Sequence, residues 1–127
     1  MATINAAQSQ AAPNTANLST AQTGNGVSTN VVDRGSSITA ALLKLTTTIG
    51  ATPTVTIAIE GSADGTNFFN VAYALPATPE TPAVANVVIT TAVTNLYILR
   101  ANHPWRYLRL TYSANTNVTT TADVWIF

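Results

Sequence analysis

The chain has 127 residues, of which only 8% are charged, with a formal net charge of zero and no cysteine. An ordinary soluble domain carries roughly a quarter charged residues, so the exterior here is built from threonine (23), alanine (21) and other neutral side chains. That balance excludes a phosphate-binding footprint, a thiolate metal site and a disulfide framework, no stretch reaches the ~18 apolar residues of a membrane span, and the length suits one domain.

Residues 1 to about 32 form one compositional block of Ala, Asn, Thr, Gln, Ser and Gly, with no charge before Asp33. Its apolar residues Ile4, Leu18, Val27 and Val31 keep neither a 3.6 nor a 2.0 period, and Gly24-Asn25-Gly26 interrupts it. The expectation is an extended or flexible N-terminal arm over 1–34 that orders on assembly, followed by a β-sandwich domain over 35–127. On that reading a chain without residues 1–32 still folds. The start, Met1-Ala2-Thr3-Ile4-Asn5, has no basic region leading into an apolar run, so no secretory signal is expected. The sequons at Asn17 and Asn117 are then expected to stay unmodified.

From Gly35 onward the pattern is that of strands. Ala41, Leu43, Leu45 and Ile49 alternate with polar positions and place a strand near 37–49, with the run Thr46-Thr47-Thr48 favouring strand over helix. Val55, Ile57 and Ile59 continue with clean period-2 alternation. Asp64-Gly65 signals a hairpin, and Phe68 to Ala74 is the returning strand. Pro76, Pro79 and Pro82 mark a loop, since such a run cannot belong to a central strand. Residues 84–93, 96–101, 105–112 and 118–127 read as further strands, separated by Thr94-Asn95, by Asn102-His103-Pro104 and by a turn over Ser113 to Asn117. Seven or eight short strands with turn signals between them predict an all-β protein, an antiparallel β-sandwich or jelly roll.

The catalytic inventory is thin. His103 is the single histidine and sits in an apparent turn. The acids Asp33, Glu60, Asp64, Glu80 and Asp123 show no ligand spacing and form no facing pair in a cleft. No catalytic residue, cofactor or metal is therefore expected, and the chain does not read as an enzyme. Arg100, Arg106 and Arg109 are the only concentration of basic residues. Arg106 and Arg109 fall on opposite faces of a strand, so they are read as solvated or singly paired arginines, with an ion pair across a subunit boundary to Glu60, Glu80 or Asp123 as the alternative. Trp125 and Phe127 share one face of the last strand while Val124 and Ile126 take the other. A strand apolar on both faces is buried on both, so one face is expected in the core and the other in a contact with another chain, the alternative being a loop, such as the proline-rich one, that covers it. The expected interface residues are Ile4, Leu18, Val27, Val31, Trp125 and Phe127.

Two segments carry a resemblance. Ile57-Ala58-Ile59-Glu60-Gly61-Ser62-Ala63-Asp64-Gly65-Thr66-Asn67-Phe68-Phe69-Asn70-Val71 is similar to the hairpin of discoidin-like and carbohydrate-binding sandwiches, and Trp105-Arg106-Tyr107-Leu108-Arg109-Leu110 resembles their later strand. The pair also resembles small β-sandwich virion proteins of tailed bacteriophages, among them head decoration proteins. Phe68 or Phe69 stands where the sugar-binding modules usually have tryptophan, and the neutral composition and stand-alone length look more like the phage proteins. That resemblance implies a capsid decoration protein on the virion surface that bridges major capsid protein subunits, often as a homotrimer, with no nucleic-acid or membrane partner. The alternatives are a tail or fibre component, or a module that recognises a cell-surface glycan through Tyr97, Tyr107 or Trp105.

Overall fold

The computed structural model describes residues 14–34, 40–99 and 105–126. Ten antiparallel strands and no helix occur among them: β1 (Asn14–Gln22), β2 (Gly26–Val27), β3 (Val32–Asp33), β4 (Ala41–Ser62), β5 (Phe69–Asn70), β6 (Tyr73–Leu75), β7 (Thr78–Ala83), β8 (Val87–Ile89), β9 (Thr94–Leu99) and β10 (Tyr107–Ile126). The protein is all-β, as its alternation predicts.

The fold is organised by two long strands, β4 of 22 residues and β10 of 20, which pair along their whole length. Each bends near its middle. From Ile49 to Thr56 the chain takes seven steps along β4, against five from Ser113 to Val118 along β10. The surplus is absorbed at a corner where Thr52, Ala114 and Asn117 all adopt left-handed backbone (φ 49°, 51° and 55°). Bulges and bends of this kind let one strand serve two layers of a sandwich. The first half of β4 pairs with β9 and the second half of β10, whose far edge takes β1. The second half of β4 pairs with β5, β8 and the first half of β10, whose far edge takes β2 and β3.

The inward alternation survives the corner. Leu43, Leu45, Val55, Ile57 and Ile59 on β4 and Leu108, Leu110, Tyr112, Val118 and Val124 on β10 are buried in a single core. The two halves are stitched across that core: the Tyr112 hydroxyl donates to Ser19 Oγ on β1 at 3.1 Å, both groups buried. Burial raises the Tyr112 hydroxyl pKa above its ordinary value.

Several expectations are corrected. Residues 14–34 are not an arm. β1 is a sheet strand along β10, and Leu18, Val32 and Arg34 are buried. The Asn17/Ser19 register shift makes Leu18 a bulged residue, so Leu18 and Ser19 both face inward. The segment Ser113 to Asn117, expected as a turn, is a corner through which β10 continues, and the strand expected near 37–49 runs on through residues 50–53 into the 55–59 stretch as one strand. The proline-rich segment is the edge strand β7, paired with β6 alone among the described strands. The strand expected over 84–93 shortens to Val87–Ile89, and that over 68–74 splits into β5 and β6.

Candidate interaction surface

The charged groups are tied down within the chain. Arg106 meets Asp33 through two contacts of 2.8 and 3.0 Å, and Asp33 lifts the guanidinium pKa by hydrogen bonding and charge. Arg109 Nε donates to Glu60 Oε1 at 2.8 Å, the same oxygen accepts from Thr111 at 2.6 Å, and the guanidinium lies 3.9 Å from the Phe68 ring centroid. The pairing of an arginine with Glu60 is thus made inside one chain, not across a subunit boundary. Asn17 Nδ2 donates to Asp123 Oδ1 at 2.9 Å.

Asp64 is the most heavily committed carboxylate. Its oxygens accept from the backbone N–H groups of Asn67 and Thr66, the Ser62 hydroxyl and the Asn67 side chain, at 2.8–2.9 Å. These bonds, led by the Asn67 backbone, hold its pKa far below the ordinary carboxylate range. Three of the four bonds converge on Oδ1 and fasten the 63–68 loop around this carboxylate. The hairpin expected at Asp64-Gly65 is therefore a longer Asp-centred loop with Gly65 at φ +80°. No group of three metal-ligating side chains occurs among the described residues, and His103 and Arg100 lie outside them.

Of the expected interface residues, Ile4 and Phe127 lie outside the described residues. Leu18 is a core residue, which corrects its assignment. Trp125 is half-buried on the outer side of β10, with the Lys44 ammonium 5.8 Å from its ring centroid. Val27 and Val31 stand out from the surface at 50% and 47% exposure. Among the rings named for a glycan platform, Tyr97 is buried edge-on against Tyr73 at 5.3 Å, which removes it, and Tyr107 is half-buried beneath Gly65 and Arg106. Trp105 is half-buried over Gly61 and lies 5.9 Å from Phe69.

Sequence reasoning missed the most exposed apolar side chains: Phe69 at 58%, Val84 at 59% and Val88 at 62%. The signal was present. Phe68-Phe69 and Val87-Val88-Ile89 place adjacent apolar residues on extended backbone, where neighbours point to opposite faces, so one member of each must turn outward. Phe69 and Val88 occupy β5 and β8, which lie end to end along the same side of β4. Val27 and Val31 lie on or beside β2 and β3, on the far side of β10. Between β1 and β3 opens a groove of about 570 Å³ lined by Ala16, Val31, Val32, Ile126, Asn17 and Asn30, with Asp33 and Arg34 completing it.

Searches of family models, curated proteins and solved structures find no match to the chain.

Proposed function

We propose that the protein is a structural component of a virus particle: a capsid decoration protein that sits on the outside of a phage head and stabilises it by bridging major capsid protein subunits. One observation carries the reading. Two of the few ion pairs a chain with 8% charged residues can make, Arg106–Asp33 and Arg109–Glu60, are closed within the chain, while valines and a phenylalanine stand out on opposite edges of one layer. Monomeric soluble proteins rarely leave apolar edges uncovered. Such a surface is cheap to dehydrate and suits contact with other protein.

The mechanism is mass action. A ligand that binds only the assembled lattice stabilises it by RT ln(1 + [L]/Kd), about 2.7 kcal/mol per site at one hundred times Kd, and simultaneous contacts to several subunits add avidity. Particles lacking the protein are expected to gain thermal resistance when the purified chain is added, with saturable co-sedimentation. Particles that neither bind it at micromolar concentration nor change their disruption temperature overturn the reading. The Phe69–Trp105 pair favours glycan recognition as the second reading, and an array screen with no saccharide hit removes it.

A further inference from the structure

Asn25 is the one asparagine in the chain that precedes a glycine. It is exposed in the short connection between β1 and β2, and a Cβ built on Gly24 or Gly26 would touch nothing. Its side chain nevertheless has a fixed task. Asn25 Oδ1 accepts from the Asn115 backbone N–H at 2.9 Å, which ties the connection to the corner of β10, where Ala114 and Asn117 are left-handed (φ 51° and 55°). Asn115 Oδ1 in turn accepts from the Val118 N–H at 3.2 Å, and Asn115 Nδ2 is buried with no acceptor among the described residues. A carboxylate at position 25 would accept from the same N–H in a charge-assisted bond, roughly twice as strong as the neutral one. It would also bring a second acceptor oxygen to a neighbour that has a buried donor to fill.

We propose that Asn25-Gly26 is a site of spontaneous covalent modification whose aspartyl product fastens β2 to the corner of β10. The Gly26 nitrogen gives up its proton to solvent base and attacks Asn25 Cγ. The new C–N bond closes a cyclic imide as the Cγ–Nδ2 bond breaks and ammonia departs. Water then adds to one of the two imide carbonyls. Opening at one carbonyl gives aspartate. Opening at the other gives isoaspartate, whose main chain runs through Cβ and is one carbon longer. Glycine favours the ring closure because it brings no Cβ to crowd the attacking nitrogen, and every other asparagine here is followed by a residue that has one.

The fold holds the attacking nitrogen back. The Ser28 N–H donates to the Leu110 carbonyl at 2.7 Å, and Gly26, in register with Tyr112, lies two residues along the same ladder. Alternate residues of an antiparallel strand turn their N–H groups to the same partner, so the Gly26 N–H faces β10. Only two residues of β2 are paired and both are exposed, and a ladder end of this kind opens at little cost. The reaction therefore proceeds through the opened end of β2.

The test incubates the full chain in mildly alkaline buffer, folded and in urea, beside Asn25→Gln. Each event adds one negative charge to a chain of zero net charge, so ion exchange separates the products and tandem mass spectrometry of their peptides locates them. The parent should convert at position 25 ahead of every other asparagine, and several-fold faster in urea, while Asn25→Gln stays unchanged at that position. Asn25→Asp reproduces the aspartyl product and should melt about 2–5 °C above the parent at neutral pH. The isoaspartyl fraction should melt below the parent, because the extra carbon shifts the pairing of Gly26 with Tyr112. A parent that stays unmodified at position 25, or is modified first elsewhere, overturns the site. Equal rates in the folded and unfolded chain overturn the restraint by β2. An Asn25→Asp variant that melts at or below the parent overturns the fastening role.

Discussion

Gly61 shows how one missing side chain arranges a whole end of the molecule. It occupies an inward position on β4, and a Cβ there would lie 2.6 Å from Trp105 Cβ and Cγ and 2.7 Å from Val71 Cγ2. Trp105 therefore packs over the sheet only because the residue beneath it is glycine, and Phe69 is placed against that indole. Gly61→Ala should force the indole away and destabilise the fold by about 1–3 kcal/mol, the usual cost of overpacking, read from urea unfolding. An unchanged midpoint would mean that the ring adjusts freely. Asp64 acts beside it. Its folded pKa lies below the ordinary 3.8, so the stabilisation is fully present above that value and is lost as pH falls below it. Asp64→Ala should lower the melting temperature at neutral pH and flatten the decline below about pH 4. An identical acid limb in parent and variant would remove this role. The Asp64-Gly65 pair was legible as a chain reversal, but its form was not. Hydrogen bonds from Ser62, Thr66 and Asn67 to one carboxylate make a loop where dipeptide propensity alone gives a two-residue turn.

Among the elements, the corner in β4 and β10 is the feature that propensity misread. Gly50, Pro53 and the run Ser113 to Asn117 are the residues that normally end strands. Here the partner strand bends at the same place, so pairing resumes past the corner and the chain runs on. The alternation itself held the clue, since odd positions of β4 point inward on both sides of Gly50. Asn117 fastens the corner: its side chain donates to the Ala51 carbonyl at 2.6 Å, and its backbone is left-handed, a conformation asparagine tolerates better than most residues. Asn117→Ala should cost about 1–2 kcal/mol, combining the lost hydrogen bond with backbone strain. Thr52 is β-branched at φ 49°, so Thr52→Gly should relieve strain of about 1–2 kcal/mol, offset in part by the entropy of glycine in the unfolded chain. The pair of variants should therefore move the urea midpoint in opposite directions, and a shift of the same sign for both would count against the corner as a strained joint. The prolines of β7 illustrate the complementary point. They do bar a central strand, as expected, yet an edge strand with one partner has room for them.

At the scale of the molecule, the decisive difference from the sequence reading lies in residues 14–34. No period was visible there because β1 is bulged at Leu18 and shifts again before Gln22, which destroys the alternation that would announce a strand. What the pattern could not show is supplied by packing. Leu18 is in the core, Ser19 bonds the buried Tyr112 hydroxyl, and the Ser28 backbone N–H donates to the Leu110 carbonyl at 2.7 Å while Leu110 N–H donates back to Ser28 Oγ at 3.1 Å. The Asn30 N–H donates to the Leu18 carbonyl at 2.9 Å and closes the seam between the two halves. Removing residues 1–32 would strip these partners from β10 and expose one side of the core. The expectation that such a truncation leaves a folded domain is thereby reversed. The truncated chain should lose its cooperative thermal transition, and Leu18→Ala in the full chain should cost about 2–5 kcal/mol, as deletion of a buried leucine does. Differential scanning calorimetry of both separates the possibilities. A sharp transition retained after truncation would mean that β1, β2 and β3 dress a core already closed by β4 and β10, whereas its loss alongside a weakened Leu18→Ala variant makes the N-terminal strands part of the folding unit.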